Sequence, residues 1–155
     1  MTESYEVVFQ QVAVGNLLEL LNALEVSSEV LSDLGISESL GNMLLAGGDE
    51  KLIDGIVSYE GDICLTGRLY KFNISDEVCL PFVFLRVIKY AGGIDVELSF
   101  DDTQIFDIGG LMRAMQIYAD GLSKRINMVG FYGGLEPAID IDTRYFTGDV
   151  LGSLG

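Results

Sequence analysis

From Ile94 to Phe100 apolar Ile94, Val96, Leu98 and Phe100 alternate with Asp95, Glu97 and Ser99. That period of two gives a strand one buried side and one wet side. A second apolar run, Phe82 to Tyr90, precedes it across Ala91-Gly92-Gly93, where paired glycines supply the positive φ angles of a tight hairpin turn. Pro81 has no amide to donate and belongs at the start of its strand or on an edge. Upstream, Ile63 to Phe72 alternates Leu65 and Leu69 with Thr66 and Arg68, predicting a half-buried strand that ends in the turn Asn73-Ile74-Ser75-Asp76. Tyr5-Glu6-Val7-Val8-Phe9 fits either an opening strand or the start of a helix.

Helical periodicity marks other segments. After Asn16, a good N-cap residue, Leu17, Leu18, Leu20, Leu21 and Leu24 line one side of a predicted helix and leave Glu19 and Glu25 outside. The segment Ser27 to Gly35 reads as a short capped helix closed by its glycine, and Ser37 to Ala46 as another, stopped by Gly47-Gly48. Asp107 is placed to cap a long helix, since Ile108, Leu111, Met112, Met115, Ala119, Leu122 and Ile126 recur at helical spacing. Arg113, Gln116, Asp120 and Lys124 take its other side, and Lys124-Arg125 complement the dipole at its end. Beyond it, Met128 to Tyr132 predicts a strand, Gly133-Gly134 a turn and Ala138 to Phe146 a last strand. The expectation is one domain over residues 1–155, of α+β class: short N-terminal helices and one long helix packed on a largely antiparallel sheet.

Composition agrees with a folded chain. The 155 residues, 49% hydrophobic and 21% charged, are enough to bury a core and carry no signature of disorder. Cys64 and Cys79 read as buried free thiols. Apolar runs such as Val78 to Leu85 are too short to cross a bilayer, and Glu3 and Glu6 stand where a secretory signal would be positive, so a cytoplasmic protein is expected.

Charge narrows the choice of partner. With 24 acidic and 9 basic side chains the formal net charge is -15. Such a field repels nucleic acid and anionic lipid and speeds encounter with a cationic surface. Residues 1 to 50 hold nine carboxylates and no Lys or Arg.

Catalytic chemistry finds little to work with. The absence of histidine removes the commonest general base, the usual zinc ligand and the activator of a Ser or Cys nucleophile. Gly130 to Gly134 has neither Walker nor Rossmann spacing. The densest polar cluster is Glu136 to Arg144. On a strand, Asp140, Asp142 and Arg144 would share one face while Ile139 and Ile141 face the core. The plainest reading is a solvated face with an Asp142–Arg144 ion pair worth under about 1 kcal/mol; the other is a partner-contact surface. A calcium loop is ruled out, because Arg144 and Tyr145 stand where a third oxygen ligand and a glycine belong, and Leu151 where a bidentate Glu belongs. Magnesium held by Glu136, Asp140 and Asp142 stays open as the basis of a hydrolase. Met112 and Met115 read as core filler, and Tyr132, Tyr145 and Phe146 as core side chains before exposed anchors.

The stretch Phe131-Tyr132-Gly133-Gly134-Leu135-Glu136-Pro137-Ala138, continued by Asp140, Asp142, Thr143, Arg144, Phe146, Thr147 and Gly148, resembles the tail of small proteins encoded beside bacterial polymorphic toxins. Its small, acidic, catalyst-poor profile is also similar to that of toxin-immunity proteins, including those of contact-dependent inhibition systems. The resemblance implies a protein that binds a cognate toxin domain, in many cases a nuclease with a basic cleft, and blocks it. The expected function is therefore an immunity-type inhibitor of a basic toxin domain, not an enzyme, with no cofactor and with neither nucleic acid nor membrane as partner. From the distribution of acid, the residues expected to meet the toxin are Glu19, Glu25, Glu29, Asp33, Glu136, Asp140 and Asp142. The alternative is a divalent-metal-dependent hydrolase built on the clustered carboxylates.

Overall fold

The computed structural model describes residues 3–37, 49–101 and 107–155. The strict alternation around Val96 becomes strand β5 (Gly93–Asp101), and the preceding apolar run becomes β4 (Cys79–Tyr90). They pair antiparallel with Leu85 opposite Leu98 and Val87 opposite Val96. Of the turn's glycines, Gly93 takes the positive φ, 148°. Strand β3 (Ile63–Asn73) runs along the other side of β4. The ambiguous N-terminal segment is a strand, β1 (Ser4–Gln10), because it lies between β5 and β6 (Gly130–Leu135), which satisfy its backbone from both sides.

With β2 (Val30–Ile36), β7 (Arg144–Thr147) and β8 (Val150–Leu151), the described strands form one eight-stranded sheet in the order β2-β3-β4-β5-β1-β6-β7-β8. Every pairing in it is antiparallel. Among the described residues three α-helices accompany it: α1 (Leu17–Ser27), α2 (Asp49–Ser58) and α3 (Ile108–Ser123). Leu17, Leu20 and Leu24 of α1, Leu52, Ile53 and Ile56 of α2, and Leu111, Met112, Met115, Ala119 and Leu122 of α3 share one apolar cluster with the inward strand positions. Among the described residues, no helical one joins the second, small cluster of Val8, Tyr132 and Ala138, which sits on the opposite face of the sheet. The protein is thus a mixture of helices and antiparallel sheet, with the described helices on one face.

Several expectations are corrected. Ser27 ends α1, and the residues after it form β2 rather than a second helix. The cause is a bulge in which Asp33, at φ 55°, and Leu34 both lie opposite Gly67, so that Leu31 and Leu34 converge on that glycine. A bulge makes two apolar residues three apart share a face, which imitates helical spacing. The helix expected from Ser37 to Ala46 lies, beyond Ser37, outside the described residues. Asn16 makes no capping bond to α1; its side-chain oxygen accepts from Asn127 N at 3.2 Å. Asp107 does cap α3, accepting from Gly110 N at 3.0 Å. The helix stops at Ser123, and Ile126 stays buried through a bond from its amide to Leu122 O at 2.9 Å.

Gly133 and Gly134 are not a turn but the middle of β6. A Cβ on Gly133 would stand 2.5 Å from the Phe146 ring, and one on Gly134 2.7 Å from Arg144 Cα, so the glycines let β7 approach. Ala138 to Phe146 is not a strand either: it holds a 3-10 turn, Ile141–Thr143, before β7 begins at Arg144. Cys64 is half-buried and Cys79 exposed, contrary to the expected burial of both. Cys64 pairs with Ile88 and Cys79 with Asn73, at opposite ends of the β3–β4 ladder, and the Cys79 end runs past β5.

Candidate partner-binding surface

Because residues opposite one another on neighbouring strands point to the same side, the ladders fix what the helix-free face carries. Phe82 lies beside Tyr70, Phe84 beside Arg68, Arg86 beside Glu97, and Val8 between Glu97 and Tyr132. The Tyr70 and Phe82 rings are 5.7 Å apart, and the Arg68 guanidinium is 5.5 Å from the Phe82 centroid. Arg86 is the electrostatic centre, with Nη2 3.0 Å from both Glu97 Oε1 and Glu136 Oε1. Its Nε is buried and makes no hydrogen bond.

Glu6, only 5% exposed, is the buried charged residue among those described. It accepts a hydrogen bond from Ala138 N at 2.6 Å. Burial pushes its carboxyl above the ordinary range; the Ala138 amide pulls the other way, the Glu136 charge adds to the rise and Arg86 opposes it. Burial raises Glu97 too, against the pull of Arg86, and raises the Tyr132 phenol.

A loop leaves β6 at Leu135 and rejoins the sheet at Arg144. Its Glu136–Pro137 peptide is cis. Arg144 holds it from beneath: the guanidinium lies 3.9 Å from the Tyr132 centroid and donates to Ala138 O (2.8 Å), Ile139 O (3.3 Å) and Thr147 Oγ1 (3.1 Å). Thr143 Oγ1 donates to Pro137 O and Asp140 O, and Asp140 Oδ1 accepts from Asp142 N at 3.1 Å. Tied in this way, the loop buries Ala138 and turns Ile139 and Ile141 outward, 74% and 67% exposed, against the expectation that they face the core. Arg144 consequently makes no ion pair with Asp142.

The seven acids expected to meet a partner fall in three places. Glu19 and Glu25 are exposed on α1. Glu29 immediately precedes the bulged edge strand β2 and Asp33 lies in its bulge; Glu29 pairs with Lys71 at 3.2 Å and Asp33 lies 3.9 Å from Arg68. Glu136, Asp140 and Asp142 share the loop at the other side of the sheet; Glu136 is turned into the Arg86 network, and the two aspartates are exposed and meet no Lys or Arg among the described residues. No group of three His, Cys, Asp or Glu able to hold a metal ion occurs among the described residues, which include Glu136, Asp140 and Asp142. Tyr132 and Phe146 are buried and Tyr145 half-buried, as the core reading has them, and Met112 and Met115 are core.

Sequence reasoning passed over Glu6, Arg86 and Glu97 as a unit. Their signal was present: Glu6 is the single charge of the run Tyr5 to Phe9, and Arg86 is the single charge among the apolar residues from Phe82 to Ile88. Among the described residues no helix is long and apolar enough to cross a membrane.

A comparison with curated proteins gave no match. Among solved structures, the chain is similar to one in the 1.75 Å crystal structure of the toxic C-terminal tip of CdiA from Pseudomonas aeruginosa in complex with immune protein. The likeness has 36% sequence identity and a TM-score of 0.90, and covers 100% of each chain. The family described as PABL017 Cdi1I immunity protein matches residues 3–151. With nearly its whole length inside that match, the chain belongs to the Cdi1I immunity protein family.

Proposed function

We propose that the chain is an immunity protein that binds the toxic C-terminal tip of a CdiA-type protein and neutralises it, as a stoichiometric inhibitor and not as an enzyme. Family membership over residues 3–151 carries this reading, and the full-length likeness to a chain of a toxin–immune protein complex supports it. The site of action is the cytoplasm, where an incoming toxin would meet its target. The -15 charge favours a basic toxin surface, and a nuclease fits that description. Covering a basic cleft with an acidic protein combines fast encounter with exclusion of substrate. The carboxylates Glu19, Glu25, Glu29, Asp33, Glu136, Asp140 and Asp142 remain the candidates for contact, those on the loop foremost because Asp140 and Asp142 are exposed beside the outward-facing Ile139 and Ile141. A metal-dependent hydrolase has no comparable support, since Glu136 is committed to Arg86.

Co-expression of the chain with the toxin tip encoded beside it, followed by affinity capture and gel filtration, tests the proposal. The expected outcome is a complex that survives the column. Elution of the two proteins apart would contradict it.

A further inference from the structure

Ile139 and Ile141 expose most of their side chains to water on a loop that the fold otherwise takes trouble to fix. A loop whose only task is to connect β6 to β7 has no need of two exposed isoleucines. Nor does it need a buried glutamate and a stacked arginine to hold it. Glu6 takes the Ala138 amide at 2.6 Å, and Arg144 takes the Ala138 and Ile139 carbonyls at 2.8 and 3.3 Å. The same Arg144 guanidinium reaches Thr147 Oγ1 at 3.1 Å. Thr147 pairs with Val150, whose side chain therefore points to the same side of the sheet and is 64% exposed. Around one guanidinium the structure thus collects outward-facing apolar side chains, with the carboxylates of Asp140 and Asp142 between and beside the isoleucines.

We infer that this loop, residues 137–142, is the element that docks into the toxin tip. Ile139 and Ile141 fill an apolar pocket on the toxin, and Asp140 and Asp142 meet basic groups at its rim. Glu6 and Arg144 are positioning residues that hold the loop in its bound shape. The inference rests on the proposed immunity function, which supplies the occupant. Charge complementarity supports that occupant: Arg68, Lys71, Arg86 and Lys124 are paired with the chain's own carboxylates, and with 24 acids against 9 bases in the whole chain the charge left for a partner is negative. Apolar anchors ringed by polar contacts are the usual centre of binding energy, and a loop fixed beforehand loses little freedom on binding.

The test uses the full-length chain and the purified toxin tip encoded beside it, with binding followed by biolayer interferometry. The paired substitution Ile139→Ser and Ile141→Ser changes exposed side chains and leaves the internal tethers in place. It is expected to weaken binding at least tenfold, mainly through faster dissociation, with the thermal midpoint unchanged. Asp76→Asn with Glu77→Gln, exposed in the turn between β3 and β4, is expected to leave the dissociation rate within twofold of wild type. Glu6→Gln keeps a carbonyl for the Ala138 amide and should preserve binding, whereas Glu6→Ala should speed dissociation even at temperatures where the variant is fully folded. If wild type binds and the isoleucine variant binds within threefold of it, the loop is not the docking element and the immunity reading stands. If the isoleucines instead hold two copies of this chain together, seen as a dimer in sedimentation that the variant dissolves without loss of toxin binding, the inference is also overturned. Failure of wild type to bind overturns both.

Discussion

Glu6 is a carboxylate nearly removed from water, and the fold tolerates it because one oxygen receives the Ala138 amide and Arg86 lies near. Burial still prevails, so its proton is held more tightly in the native state than in the unfolded chain. Between the ordinary value of 4.5 and the raised native value, the native state carries the extra proton, and the contribution of Glu6 to stability therefore falls as pH rises. Glu6→Gln, which retains a carbonyl acceptor, is expected to be at least as stable as wild type at neutral pH. The difference should vanish as pH drops below the ordinary carboxylate range, where Glu6 is neutral in both states. Chemical denaturation across that range checks it, and a difference that grows on acidification would contradict it. Glu6→Ala leaves the Ala138 amide buried without a partner and should lose about 1–3 kcal/mol. None of this is visible from Tyr5 to Phe9 alone, because the amide that Glu6 serves lies 132 residues away. A lone acid in an apolar strand was the legible part; its partner was set by packing.

At the level of elements, alternation was read correctly in β3 and β5, whose register with β4 is unbroken, while β1, which alternates poorly, was left open between strand and helix. It failed where the register is broken. The Asp33–Leu34 bulge brings Leu31 and Leu34 together and so counterfeits a helix. Gly133-Gly134 looked like a turn because glycine signals both positive φ and close approach, and here the second applies. That assignment is testable. Gly134→Ala would drive its methyl into the Thr143 carbonyl and Arg144 Cα, both backbone, and is expected to lose about 1–3 kcal/mol by overpacking. Gly121→Ala, in α3 with nothing within 4 Å of the added carbon, should gain about 0.5–1 kcal/mol from helix propensity. Thermal or urea unfolding of both variants measures the contrast; equal effects would mean that β7 does not crowd β6. The Ala138–Phe146 strand failed for a local reason: Asp140 accepts from Asp142 N and Thr143 closes on Pro137, which turns the chain before β7 can start.

The whole molecule presents an acidic exterior on a frame whose described helices share one side. Its charge was fully legible in the composition, whereas the class of partner came from the resemblance to toxin-immunity proteins, which the family match bears out. The arrangement of that charge was not legible, because ion pairs such as Lys71–Glu29 and Arg86–Glu136 join residues distant in sequence. Those pairs leave the surplus acid unmatched. Association with a basic toxin tip should therefore be steered over long range, with the on-rate falling about tenfold or more between low and high salt while dissociation changes less. Stopped-flow mixing at several salt concentrations reads this directly, and an on-rate indifferent to salt would show that net charge plays no part in encounter. The central claim, that the chain neutralises a toxin by binding it, is tested most directly in cells induced to express the toxin tip encoded beside it. Growth restored by wild-type chain at matched expression, and lost again with a variant that no longer binds the tip, is the predicted result; arrest that persists while the wild-type chain is present in excess would contradict it.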